Sequence, residues 1–168
     1  PKGPFIMLSR SHYGFVKRLL EIEIPELSDG TIMLYSVARD AGSRSKIAVY
    51  TEYTNVDPIG AVIGEKGRRI ANVLKELSGE KIDVILYDKD PVKFIANALS
   101  PAKDVKVSIK DETKKEALAL VNDKNLSLAI GKKGQNVKLA SRLTHYKIEV
   151  KPEEQENTET TEETSVEE

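Results

Sequence analysis

Apolar positions near the start of the chain recur every three to four places. Phe15, Val16, Leu19 and Leu20 share one face of a helix expected from Ser11 to Ile24, which Pro25 and the Ser28-Asp29-Gly30 turn bring to an end. The period then changes to two. Thr31 to Arg39 and Lys46 to Tyr53 read as strands joined by the hairpin signal Asp40-Ala41-Gly42-Ser43. Asp57-Pro58 supplies an N-cap followed by proline at the first helical position, so a short helix is expected over Ile59 to Ile63. Ile70, Val73, Leu74 and Leu77 return to helical spacing, and Ile82, Val84 and Leu86 alternate as a strand. From Asp90 the same succession runs again. Asp90-Pro91 caps a helix bearing Phe94, Ile95, Ala98 and Leu99; Val105, Val107 and Ile109 alternate with Lys106, Ser108 and Lys110; and a turn at Asp111-Glu112-Thr113 leads into Ala117 to Val121. A short helix over Asn125 to Ile130, a longer one marked by Val137, Ala140 and Leu143, and a strand holding Ile148 and Val150 complete it. Each half reads helix–strand–strand–helix–turn–helix–strand, an α+β fold of the α/β sandwich kind.

The duplication is visible in the residues themselves. Ile63-Gly64-Glu65-Lys66-Gly67 reappears 67 positions later as Ile130-Gly131-Lys132-Lys133-Gly134. Two glycines three apart mean little alone, but the I-G-x-K-G string is expected roughly 0.006 times in a chain of this composition, and it occurs twice. Two units follow, residues 11–89 and 90–151, joined at Tyr87 to Pro91 without a flexible linker. Residues 1–10 read as the remnant of an upstream domain, since the chain opens on Pro1.

Charge changes the picture once it is placed. The formal net charge is −1, from 26 Lys+Arg against 27 Asp+Glu. Residues 152–168 hold eight Glu and no Lys or Arg, so the remaining body carries +7. The acidic segment has one aliphatic residue and no periodicity, and is expected to be a disordered tail. A basic body suits a polyanionic partner.

The paired glycines tell where such a partner would lie. They let the backbone turn sharply between two helices at an N-terminus, where unpaired amides and the helix dipole favour an anion. The amides of Gly64 to Arg68 and of Gly131 to Gln135 are expected to face phosphates. Lys66, Arg68 and Arg69 add charge in the first unit, Lys132, Lys133 and Lys138 in the second, and Arg44-Ser45-Lys46 at the hairpin a further basic edge. Ile63 with Val62, Ile70, Ile47 and Val49, and Ile130 with Ala129, Leu128 and Val137, are expected to wall a groove for bases.

An I-G-x-x-G loop between two helices, followed by a strand, resembles the KH domain, in which the GxxG loop clamps the backbone of about four nucleotides. The leading helix and strand make each unit similar to a type II KH domain, which implies a three-stranded mixed sheet with helices on one face. The strings Gly42 to Val49, Asn55 to Ala61, Ala96 to Ala102 and Leu126 to Gly131 further resemble the NusA family of bacterial transcription factors over residues 4–151. That resemblance implies sequence-preferring binding of single-stranded nascent or leader RNA, and a role in pausing, termination and antitermination with RNA polymerase and other elongation factors. It also implies an S1 domain upstream, of which residues 1–10 would be the last strand. Where many relatives have proline, Glu65 stands here.

Other classes lack parts. There is no Cys, and the two His lie 133 positions apart, so neither a thiolate nor a histidine metal site is expected. No nucleophile–base pair or Walker loop is present, and Glu21, Glu23 and Glu26 read as a solvated helix face, so no enzyme and no cofactor are expected. The aromatics form no basic-aromatic strand motif of the kind that stacks bases. A cytoplasmic monomer without membrane contact is expected. The competing reading is a protein-interaction scaffold that docks on polymerase or ribosomal proteins, with RNA binding lost or secondary.

Overall fold

The computed structural model describes residues 3–153. The acidic segment beyond Glu153, expected to be a disordered tail, lies outside the described residues.

The first unit is built from α1 (Tyr13–Glu23), α2 (Pro25–Ser28), β1 (Met33–Asp40), β2 (Arg44–Tyr50), α3 (Pro58–Ile63), α4 (Arg68–Glu76) and β3 (Lys81–Leu86). The second repeats it without a counterpart of α2, as α5 (Pro91–Ala98), β4 (Lys106–Asp111), β5 (Glu116–Val121), α6 (Asp123–Ile130), α7 (Gln135–Thr144) and β6 (Lys147–Pro152). Each sheet has three strands, β1-β2-β3 and β4-β5-β6, with an antiparallel hairpin followed by a parallel partner. This is a mixed sheet: the third strand returns through two helices and joins the middle strand in parallel.

Pro25 does not simply end α1. It takes the first position of α2, where its missing N–H costs nothing, and the Asp29 side chain then accepts from Thr31 N–H to close the turn. The caps at α3 and α5 form as the sequence predicts, with Asp57 accepting from Ile59 N–H and Asp90 from Val92 N–H. Strand β6 runs through Pro152, and Glu153 N–H donates to Val121 O, so ordered pairing extends just past the expected end of the second unit.

The two faces of the first sheet are covered by different halves of the chain. Ile47 and Val49 point to α1, α3 and α4, meeting Val16, Leu20, Val62 and Val73 in one core. Their neighbours Ala38, Ala48 and Ile85 point the other way, into a second core with Phe94, Ile95, Leu139 and Leu143 from α5 and α7. Helices of the second unit therefore cover the back of the first unit's sheet. They also serve their own sheet, packing on Ala117, Ala119 and Ile148.

Polar contacts lock this seam. Lys46, fully buried, donates to Asp83 Oδ2 at 2.9 Å and across the seam to Ser100 O at 2.7 Å. Burial draws the Lys46 pKa below its ordinary value, although the Asp83 carboxylate pulls the other way. Ser36 Oγ donates to Leu143 O at 2.8 Å. Tyr35 is the extra residue of a bulge in β1; its ring stacks on Tyr87 at 3.9 Å, with Phe94 edge-on to both.

Candidate nucleic-acid interface

Each I-G-x-K-G string forms the same turn. Gly64 (φ 75°, ψ 172°), Lys66 (φ 52°, ψ 27°) and Gly67 (φ 74°, ψ 16°) are matched by Gly131 (φ 76°, ψ 170°), Lys133 (φ 53°, ψ 28°) and Gly134 (φ 72°, ψ 16°). Three left-handed residues in four give a hook between two helices, and two copies agree within a few degrees.

The two glycines of each loop do different work. A Cβ on Gly131 would lie 2.7 Å from Asn136 Cβ and 2.8 Å from its backbone nitrogen; one on Gly64 would lie 2.6 Å from Arg69 Cγ. The first glycine is therefore pressed against the helix that follows. A Cβ on Gly67 would meet nothing within 4 Å, and one on Gly134 nothing nearer than 3.7 Å. The second glycine faces open space.

Three of the five expected amides in each loop are already engaged. Gly64 N–H donates to Gly60 O, Gly67 N–H to Gly64 O and Arg68 N–H to Glu65 O, and Gly131, Gly134 and Gln135 repeat the pattern onto Ser127, Gly131 and Lys132. The amides of Glu65 and Lys66, and of Lys132 and Lys133, stand outside this set.

The cations divide similarly. Lys66 and Arg68 in the first loop, and Lys132, Lys133 and Lys138 in the second, have exposed side chains. Ile63 and Leu128 are exposed apolar positions beside the two loops. Arg69 is not free: it donates to Glu26 Oε2 and Ala61 O, both at 2.8 Å, and its stem crosses Gly64.

The expected basic edge at Arg44-Ser45-Lys46 needs correction. These residues belong to β2, whose pairing on both sides buries Ser45 and Lys46 completely. Arg44 forks onto Asp83 at 2.7 and 2.9 Å, Lys46 adds a third bond to that carboxylate, and Ser45 faces Glu80. They form an internal ion cluster, not a free surface. Burial alone would raise the Asp83 pKa, but Arg44 and Lys46 outweigh it and hold the group below its usual value. Val62, Ile47, Val49 and Ala129, expected to wall a groove, are likewise fully buried core.

Several residues gain importance only in the structure. Asn136 stands where Arg69 stands in the other copy and closes the second loop from beneath, donating to Leu99 O and Ala129 O while its buried Oδ1 accepts nothing from the described residues. The 67-residue offset could have flagged it. Asp40 and Ser43, read as turn residues, reach the second loop through Gln135. Beside the first loop's helix a groove of about 680 Å³ runs between Ile59, the β3 edge at Val84 and Leu86, the α5 end at Asn97 and Ser100, and Val105 just before β4.

Comparison with known proteins places these features in a family. Residues 10–87 match the NusA-like first KH domain and residues 91–158 the NusA-like second KH domain. The chain is 55% identical over 152 residues to the transcription termination/antitermination protein NusA of Halalkalibacterium halodurans, covering 90% of this chain and 40% of that protein. Against the protein of the same name from Bacillus subtilis it is 53% identical, with 90% and 41% covered, and against that from Thermus thermophilus 49%, with 88% and 38%. It thus spans about two-fifths of the length of these curated relatives. Among solved structures, the crystal structure of APE1850 superposes with a TM-score of 0.57 at 22% identity, covering 82% of this chain and 96% of that one, a likeness of fold. With both NusA-like KH domains in tandem and this identity across nine-tenths of its length, the chain belongs to the NusA family, as its KH1–KH2 region.

Proposed function

We propose that the two hooks bind one single-stranded RNA with some sequence preference, as the RNA-holding part of a transcription termination/antitermination factor that works with RNA polymerase and other elongation factors. The units are residues 11–89 and 90–151, acting within a cytoplasmic, monomeric chain that performs no catalysis of its own. The observation that carries the reading is the pair of congruent loops whose second glycines face open space. A sugar-phosphate backbone can approach there to contact distance, beside the loop main chain and exposed lysines. Ile63 and Leu128 beside the loops, and the groove at Ile59, Val84 and Leu86, offer apolar surface to unstacked bases. The curated relatives carry termination and antitermination in their names, which supports the transcriptional setting.

The test is the double variant Lys132→Glu/Lys133→Glu, which keeps both glycines. Titrating a labelled 12-nucleotide single strand, we expect binding weakened more than tenfold at moderate salt. We also expect the slope of log K against log salt to fall by about 1.4, two phosphate contacts at about 0.7 each. Unchanged affinity with an unchanged slope refutes the assignment.

A further inference from the structure

The second loop is completed by the first unit. The β1–β2 turn reaches across, and Gln135 Nε2 donates to Asp40 Oδ2 and to Ser43 Oγ, both at 2.7 Å. Asp40, Ser43 and Gln135, together with Lys132, Lys133 and Lys138, line a cleft of about 360 Å³, near the small end of ligand-sized cavities. Asp40, Ser43 and the three lysines are exposed, so the cleft is open to a ligand.

Its chemistry is divided. Three ammonium groups on one side attract a phosphate, and a carboxylate on the other repels it, so a phosphate alone does not account for the lining. An ionised carboxylate has about four acceptor sites, and Gln135 uses one of them on Oδ2. What remains is an acceptor-only fork. Of the four bases, guanine alone presents two adjacent N–H donors on one edge, N1–H and the N2 amine. Adenine and cytosine set an amine beside an acceptor nitrogen. Uracil sets its one ring N–H between two carbonyls, which a carboxylate repels.

We propose that Asp40 of the first unit is a specificity-determining residue that selects guanine in the nucleotide whose phosphate lies on the lysines of the second loop. The inference rests on the reading of that loop as a phosphate site. Its content is that the two units read one nucleotide between them, the phosphate by the second and the base by the first. Gln135 Nε2, itself anchored on Ser43 Oγ, holds the Asp40 carboxylate in the lining of the cleft.

The test uses the whole chain and a series of 12-nucleotide single strands of adenine, each with one guanine at a different position. The wild type is expected to prefer guanine at one position by about tenfold, the usual size of a two-bond base contact. Inosine there, which lacks the N2 amine, should lose much of that preference. Asp40→Asn keeps the size of the side chain and an oxygen for Gln135, yet should bring the guanine preference at that position close to unity. The inference falls if no position prefers guanine. It falls equally if Asp40→Asn keeps the preference, or tightens every strand alike, as removal of a mere negative charge would. Lys132→Glu/Lys133→Glu separates the two levels: if that variant binds the whole series as tightly as the wild type, the phosphate reading itself has failed.

Discussion

Replacing either glycine of the second loop by alanine separates the steric role from the conformational one. At Gly134 the added Cβ meets nothing closer than 3.7 Å, and the burden is that of a left-handed φ of 72°, about 1 kcal/mol for a side chain with a Cβ. At Gly131 the backbone sits at φ 76° and ψ 170°, a region kept almost wholly for glycine and worth up to about 3 kcal/mol on its own. The Cβ also lands 2.8 Å from the Asn136 nitrogen, a main-chain atom that cannot swing aside, so Asn136 and its bonds to Leu99 O and Ala129 O must move. Gly131→Ala should therefore cost about 3 kcal/mol or more, and Gly134→Ala about 1. For a domain of this size the first corresponds to a fall in Tm of about 6–12 °C and the second to about 2–4 °C. Thermal and urea unfolding followed by circular dichroism measure both. If Gly131→Ala unfolds within 0.5 kcal/mol (about the noise of a surface substitution) of the wild type, or Gly134→Ala proves the more damaging, the division of labour between the glycines is wrong. A corollary concerns design: substitution of the first glycine tests folding, and binding is better tested at the lysines.

Two further outcomes follow from the seam and the buried ions. Lys46→Met removes the bond to Ser100 O and one partner of Asp83 while leaving Arg44 in place; it should cost about 2 kcal/mol in urea unfolding and speed amide exchange in α5, and no loss in either measurement would mean the lysine is idle. The carboxyls of Asp83 and Glu80 both titrate below their usual values. For Glu80, burial pushes upward, but hydrogen bonds from Arg39, Gly42 N–H and Ser45, with the Arg39 charge, prevail. A depressed carboxyl adds stability above its unfolded pKa of about 4 and loses it as pH falls through the folded one, so stability should be level from pH 7 to about 5 and drop below about 4. Asp83→Asn should flatten part of that drop in an acid titration, and an unaltered acid limb would exclude the ion cluster as its source.

Periodicity carried most of the fold, because each strand and helix in these small units has one strongly apolar face. Ile47 and Val49 announced a strand, and Asp57-Pro58 announced where α3 begins. What did not show was decided by distant neighbours. Arg44-Ser45-Lys46 looks like a basic edge until Asp83, Glu80 and Ser100 are brought against it from 35 or more positions away. Lys46 is buried because its strand lies between two layers, and the outer layer belongs to the other repeat. Tyr35, Tyr50, Tyr87 and Phe94 looked scattered, yet they converge where the two units meet. In the loops, the glycine and lysine positions were legible from the repeat itself. The use of Arg69 and Asn136 as props beneath them was not: the 67-residue offset aligns the two, but an arginine and an asparagine do not disclose a shared role until both are seen under the same turn.

The seam has a kinetic meaning for any ligand long enough to meet both hooks. With α5 and α7 packed on the back of the first sheet, the distance between the loops is set by side-chain packing instead of by a swinging connector. Once such a strand is caught at one hook, its free portion meets the other at an effective concentration fixed by its own length alone. Avidity should then rise sharply at the shortest strand that spans the gap and fall slowly beyond it. A loose tether would smear that threshold out. The seam would make the chain a ruler for any strand that met both hooks.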